Sequence, residues 1–234
     1  MSGWTFDRDD LAGRCDTEMR FSIPNYQAMR QAVRDVFDEM APASSRVVEL
    51  GAAAGDGIAD LLHFSPKAQS CRFYAVESAS AMARRLRERF EHEPRVRVVE
   101  RDAVKLATER FEERVSPNCG ATLAVLTLQF IPNTRLVVID QAFRETKPGG
   151  IFILVEKVRS CFERNEDAFA NIHRRHKRIH FSDAEIDAKE KALESVLVPL
   201  TSRENVAELE WCGFRNVECF WRYGRFAAFV GRKL

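Results

Sequence analysis

The sequence carries almost no net charge: 36 Lys and Arg stand against 35 Asp and Glu in 234 residues. Such a balance gives no global field to gather nucleic acid or hold a membrane surface, so a small, roughly neutral partner is expected, without direct nucleic-acid contact. Cysteine is sparse and scattered. Cys15, Cys71, Cys119, Cys161, Cys212 and Cys219 form no C-x-x-C pair and no cluster with histidine at zinc spacing, which argues against a disulfide framework or a zinc site and for reduced thiols. No apolar run approaches the roughly 20 residues of a membrane span. The start, Met1-Ser2-Gly3-Trp4 followed by Asp7, Asp9 and Asp10, lacks the basic and apolar regions of a secretory leader, and a cytoplasmic location is expected. Repeats and low-complexity segments are absent. Two nucleotide signatures are missing as well: G-x-G-x-x-G is broken by Ala53 and Asp56, and there is no G-x-x-x-x-G-K-[ST].

What is present is Val47-Val48-Glu49-Leu50-Gly51-Ala52-Ala53-Ala54-Gly55-Asp56-Gly57, an apolar strand running into a loop with almost no side chain. Small residues let a ligand lie against bare backbone. Ile58, Ala59, Leu61 and Leu62 then begin a helical pattern, so the loop opens onto helix N–H groups able to face an electron-rich ligand. The surviving E-x-G-x-x-x-G resembles motif I of the class I S-adenosylmethionine (SAM) dependent methyltransferases, although a tight strand-to-helix turn alone has the same composition.

Residues 1–25 are polar and end in Ser22-Ile23-Pro24-Asn25, where the proline favours an extended entry; something must hold this arm down. Met29, Val33, Val36, Phe37 and Met40 recur at helical steps over Tyr26 to Met40, predicting an amphipathic helix that, with residues 1–45, suits a lid over a cofactor pocket. Strands are then expected over Val47–Leu50, Arg72–Glu77, Arg95–Glu100, Ala121–Thr127 and Ile151–Glu156, with helices around Asp60, from Ala81 to Glu91 and from Thr134 to Arg144, and a turn at Lys147-Pro148-Gly149-Gly150. This alternation indicates one α/β domain over 1–234 with a doubly wound, Rossmann-like sheet. A charged helical insert over 162–200 follows. The chain closes with a helix from Arg203 to Trp211 and an antiparallel hairpin of Val217–Tyr223 and Phe226–Gly231, turned at Gly224-Arg225. Trp211, Phe220 and Trp221 read as core or edge packing.

Glu77, closing the second strand, stands where doubly wound folds place an acceptor for ribose hydroxyls, or is a solvated strand end. Asp102 invites an adenine amino group or acts as an acidic helix N-cap. Thr127-Leu128-Gln129-Phe130-Ile131-Pro132 follows the fourth strand, where a loop would line the reacting end of the cofactor. An NAD-dependent enzyme remains an alternative, opposed by the missing glycines. The basic run His173, Arg174, Arg175, His176, Lys177, Arg178 and His180 is a solvated helix face or a cap on a substrate chamber, with His173 as a base or hydrogen-bond donor near neutral pH; a nucleic-acid-binding patch is a third reading, opposed by Asp183, Glu185, Asp187, Glu190 and Glu194 just after it.

Taken together, Tyr26 after S-I-P-N, V-E-L-G, Y-A-V-E-S-A-S-A-M, T-L-Q-F-I-P, K-P-G-G-I-F-I-L-V-E-K and A-K-E-K-A-L-E-S-V-L resemble the carboxy-S-adenosylmethionine synthases, a branch of the class I methyltransferase fold. The similarity runs from about Trp4 to the end. It implies a SAM-type cofactor, a homodimer with the 162–200 insert near the partner, and synthesis of carboxy-SAM from SAM and prephenate for transfer RNA wobble-uridine modification. It places Tyr26, Gly51, Ala53, Glu77, Ser78, Asp102 and Ala103 around the cofactor. Two positions depart from the family. Val125 replaces an asparagine, and Glu190 replaces the arginine that pairs with the carboxylate of carboxy-SAM. Like charges at about 4 Å repel by roughly 4 kcal/mol at a surface-type effective dielectric, so a buried Glu190 would disfavour carboxy-SAM. The expectation is therefore a methyltransferase acting on a small molecule, with Glu190 orienting or deprotonating the acceptor and His173 and Tyr26 as secondary candidates. The alternatives are carboxy-SAM synthesis with Arg174, Arg175 or Arg178 reading the carboxylate, and a cofactor-binding protein without turnover.

Overall fold

The computed structural model describes Asp7, residues 17–108 and residues 118–234; Cys15 lies outside them. A helical stretch over residues 17–22 (α1) leads to α2 (Tyr26–Met40), β1 (Arg46–Leu50), α3 (Asp56–Phe64), β2 (Arg72–Glu77), α4 (Ser80–Arg89), β3 (Val96–Glu100), α5 (Ala103–Thr108) and β4 (Cys119–Val125). A short 3-10 turn (Leu128–Phe130) then precedes α6 (Arg135–Glu145), β5 (Thr146–Arg159), α7 (Glu163–Lys177), α8 (Asp183–Leu193), β6 (Leu200–Thr201), α9 (Ser202–Trp211), β7 (Arg215–Tyr223) and β8 (Phe226–Arg232).

The strands lie in the order β3-β2-β1-β4-β5-β8-β7, with the two-residue β6 on the far end of β5. From β3 to β5 the pairing is parallel; β8 adds antiparallel to β5, and β7 antiparallel to β8. A parallel sheet covered on both faces buries successive side chains in opposite directions, which is why its central strands read as continuous apolar runs. Val47, Leu123, Ile151 and Ile153 pack with Phe37, Ile58, Leu61 and Leu86. Val48, Leu50, Phe152 and Leu154 pack with Val138, Ile139, Leu209 and Phe214. Chain order reverses between β1 and β4, and in open α/β sheets ligands bind at the carboxyl ends of the strands flanking such a switch.

Several expectations are corrected. The entry to α2 is a turn rather than an extended arm: residues 17–22 are helical and Asn25 is left-handed with φ 56°. The arm is held by Asp7, whose carboxylate accepts the Ala81 N–H (2.9 Å), by a Glu18–Lys189 ion pair (2.8 Å), and by Phe21 stacked on His180. The Lys147-Pro148-Gly149-Gly150 turn is a bulge within β5. Thr146 pairs with Cys119 and Ile151 already with Ala121, while the Gly149 N–H is given to the Lys233 carbonyl (2.7 Å). α5 was not anticipated. Trp211 is 84% exposed, whereas Phe220 and Trp221 do pack on the core. No described helix is long and apolar enough to cross a membrane.

Candidate functional site

The loop after β1 is shaped by contacts that exclude side chains. Gly51 has φ +68°, and a Cβ there would stand 2.5 Å from the Thr127 side chain. Thr127 Oγ1 donates to the carbonyls of Leu50 (3.0 Å) and Val125 (3.1 Å), tying together the ends of β1 and β4. Ala53, the second-glycine position of a standard loop, is left-handed with φ 47°, and its N–H is given to Glu77 Oε2 (2.8 Å). A Cβ on Gly57 would fall 2.2 Å from Glu49 Oε1, so a glycine is what lets that carboxylate lie under the first turn of α3.

Two buried carboxylates face this loop. Glu49 is 4% exposed; its carboxylate accepts the Ile58 N–H, while Oε2 has no hydrogen-bond partner among the described residues. Burial raises its pKa to about 7, against the pull of Arg30. Glu77 accepts N–H bonds from Ala79 (2.9 Å), Ala53 and Ser78; burial raises its pKa and these bonds oppose the rise. The Ser78 side chain is exposed. Asp102 Oδ1 accepts from Val104 N (2.8 Å) and Lys105 N (3.0 Å) and so caps the helix that follows. Ala103 begins the capped helix.

Helix α2 lies over this loop and is pinned there by charge. Arg34 pairs with Asp60 (2.5 Å), and Arg30 pairs with Asp60 (3.4 Å) and donates to the Asp56 carbonyl. Tyr26, one turn before Arg30, accepts from its Nη1 (3.3 Å). A cavity of about 80 Å³ remains beneath, lined among others by Tyr26, Arg30, Glu49, Gly51, Ala53 and Val125.

A second cavity, of about 430 Å³, shares Met19 and Leu126 with the first and extends to α7, α8 and the β7–β8 turn. Three sequence expectations change here. Glu190 lines the chamber but is 43% exposed and paired with Lys177 (3.0 Å) and Arg174 (3.1 Å); it is neither buried nor unopposed. His173 is 5% exposed and bonded through Nε2 to the Ser22 carbonyl (2.8 Å), and burial lowers its pKa to about 3. It serves as a donor latching α1 to α7, and a base with so low a pKa is poorly matched to neutral pH. Arg174, Arg175 and Arg178 do not line the chamber; Arg174 faces Asp183, Asp187 and Glu190, and Arg178 faces Asp183 (2.8 Å). Of the apolar residues of α8, Ile186 is buried within the chain and Leu193 lines the cavity.

The chamber's cations were missed at the level of sequence. Lys157, the last residue of K-P-G-G-I-F-I-L-V-E-K, and Arg225, of the hairpin turn, line it. Glu49 and Arg30 were also undervalued, although Glu49 is the acidic residue of E-x-G and Arg30 follows Tyr26 by one helical turn.

No family model matches the sequence. Carboxy-S-adenosyl-L-methionine synthase from Hydrogenovibrio crunogenus is 27% identical over 217 residues, covering 91% of this chain and 82% of that protein. The synthase of the same name from Yersinia pestis is 25% identical, covering 100% of this chain and 85% of its own length. Among solved structures, a Thermotoga maritima SAM-dependent methyltransferase superposes with TM-score 0.62 at 16% identity, covering 97% of each chain. Human N-acetylserotonin methyltransferase in complex with SAM superposes with TM-score 0.56 at 14% identity, covering 98% of this chain and 60% of that one. The strand order, the small-residue loop after β1 and sequence matches over most of each chain agree: the chain is a divergent relative of the carboxy-S-adenosyl-L-methionine synthases, built on the class I SAM-dependent methyltransferase fold.

Proposed function

We propose that the protein is a SAM-dependent methyltransferase acting on a small molecule held in the larger chamber. The observation that carries this is the Glu49 carboxylate, buried, with one oxygen that has no hydrogen-bond partner among the described residues, in a cavity lined also by Gly51, Ala53 and Gly57. A buried unpaired carboxylate is costly unless a cation completes it, and the ammonium of SAM is such a cation. Glu77, at the end of β2 beyond Ala53, would accept the ribose hydroxyls through the lone pairs its backbone donors leave. Tyr26 and Arg30 would close the site from above, and Val125 would offer it an apolar wall. The cofactor supplies an activated methyl group with its leaving group built in, so the residues of this chain contribute chiefly by positioning and by excluding water. The whole chain acts as one unit in this proposal, with residues 1–45 as the lid and 162–200 as the cap.

The name shared by the relatives makes carboxy-SAM synthesis the second reading, and basic side chains in the chamber favour it. Incubation with SAM and prephenate, followed by mass spectrometry, separates the two: carboxy-SAM as the product supports the second, its absence together with SAM binding supports the first. Failure to bind SAM by calorimetry would overturn both. A cytoplasmic homodimer accompanies either reading through the resemblance, and sedimentation showing only monomer at micromolar concentration would remove that part.

A further inference from the structure

Parallel strands present their carboxyl ends to a ligand site, and Lys157 lies near that end of β5. Strand residues alternate between faces, so Lys157 shares a face with Val155. Val155 pairs with Val125 and its carbonyl accepts the Leu126 N–H (2.7 Å); Val125 and Leu126 both line the smaller cavity. The Lys157 backbone N–H is held by Gln129 Oε1 (2.8 Å), and Lys157 lines the larger cavity with Met19, Ile23, Leu126 and Phe226. The root of its flexible four-carbon stem is thus fixed beside the boundary between the two cavities. The chamber's other amines are engaged or exposed. Lys177 pairs with Glu190 (3.0 Å), Lys189 pairs with Glu18 (2.8 Å), and Lys191 is exposed to solvent, whereas Lys157 is half-buried and has no ion pair among the described residues.

Resting on the proposed function, we propose that Lys157 is a site of self-methylation, its amine taking the methyl group of SAM when no acceptor fills the chamber. The nitrogen lone pair attacks the methyl carbon; the carbon–sulfur bond breaks and its electron pair stays on sulfur, giving S-adenosylhomocysteine. The new secondary ammonium sheds a proton to water. Attack needs the neutral amine, and the surroundings of Lys157 favour it. Burial lowers its pKa to about 8, and Arg225 on the β7–β8 turn and Lys177 on α7 add to the fall; Glu190 on α8 and Glu166 on α7 oppose it, and the neighbouring His173 is neutral. Near pH 7.5 the neutral fraction is on the order of a hundredfold above that of an ordinary lysine. Lysine suits the role, because its pKa shifts readily on burial and its amine is a common target of methylation.

The test uses the full chain, saturating SAM that carries a trideuteriomethyl group, and no added acceptor. Digestion and mass spectrometry should find the label on Lys157, about tenfold or more above that on Lys191 at pH 7.5. Labelling should rise with pH to about 8 and flatten above about 9, where an ordinary lysine still gains neutral amine, a readout that needs no variant. Lys157→Arg should remove the principal label while binding SAM within about threefold of the wild type by calorimetry. Heat-unfolded chain should show no excess of label at Lys157. Label spread over exposed lysines and cysteines, equal labelling of Lys157 in the unfolded chain, or no label in a chain that binds SAM would overturn the inference and leave the methyltransferase assignment standing. A chain that binds no SAM would overturn both.

Discussion

Replacing Glu49 by glutamine separates what this residue costs the fold from what it gives the site. Its pKa rises from 4.5 to about 7 on folding, chiefly through burial. For a carboxyl raised in the folded state, the favourable term is complete below the unfolded pKa and is lost as pH rises through the folded one. The window is therefore about pH 4.5 to 7, and a shift of this size corresponds to about 3 kcal/mol of stability. Glu49→Gln removes the titration. Relative to wild type, the cofactor-free variant should gain about 1 to 3 kcal/mol between about pH 5 and pH 8 in urea unfolding, the lower end applying if the amide leaves a donor unpaired. SAM binding should move the other way. Losing a charge-assisted pair costs about 1.5 to 3 kcal/mol, or roughly tenfold to a hundredfold in affinity. Because Glu49 must ionise to pair with an ammonium, SAM should bind the wild type more weakly as pH falls below about 7 and release protons on binding; the variant should show neither effect. Parallel stability profiles would refute the buried titration. Unchanged SAM affinity in a folded Glu49→Gln would refute the ammonium contact and with it the observation on which the proposed function stands.

Other perturbations probe neighbouring parts of the argument. Gly51→Ala forces a Cβ to 2.5 Å from Thr127 at a positive φ, and should cost about 1 to 3 kcal/mol in thermal unfolding and displace the loop enough to weaken SAM binding. Ala53→Gly should release left-handed strain of about 1 kcal/mol, partly offset by chain entropy, and so raise stability slightly while leaving SAM affinity nearly intact; a loss of stability would show that the Ala53 methyl packs productively. Arg135→Met removes the buried guanidinium that bonds Glu208 (2.6 Å), Asn205 (2.7 Å) and Glu156 (3.3 Å). Leaving Asn205 and Glu156 buried without this partner should cost about 1 to 3 kcal/mol in denaturant unfolding at neutral pH, and more as pH rises past about 8, where Glu156, its pKa raised by burial to about 8, would have to carry an unpaired charge.

The fold was legible where the residues that decide a structure are neighbours in the chain. Tyr26–Met40 repeats its apolar residues every three or four positions, and Ile151 to Val155 is buried on both faces, so each element announces itself locally. Gly51, Ala53 and the acid ending β2 were legible for the same reason: strand, bare loop and strand end follow one another in a short span. The misjudged features all depend on pairing across distance. Residues 17–22 are polar and precede a proline, yet they form a helix secured by contacts to α7 and α8. Glu190 read as an isolated negative charge because Arg174 and Lys177, which neutralise it, lie on another helix. Lys157 closes the K-P-G-G-I-F-I-L-V-E-K run, but its place in the larger cavity beside Lys177 and Arg225 depends on elements distant in the chain.

The two adjoining cavities differ in sign, and that difference bears on why the chamber's walls are apolar. The smaller cavity presents the carboxylate of Glu49; the larger presents the amine of Lys157; Met19 and Leu126 line both. On the proposed assignment, the cationic donor would sit on the acidic side and its acceptor on the basic side. Methyl transfer from a sulfonium disperses its charge as the bond forms, so strong hydration of the cation opposes reaction, and replacing water with fixed groups of this chain helps it. Leu126 stands at the common boundary with φ 56°, a conformation unusual for leucine, and Gln129 Nε2 donates to its carbonyl (3.4 Å). Leu126→Ala should enlarge the passage between the cavities and admit water. On this argument it should lower turnover more than it weakens SAM binding, as single-turnover measurements beside calorimetry would register; an equal loss in both would assign Leu126 to cofactor binding rather than to the boundary.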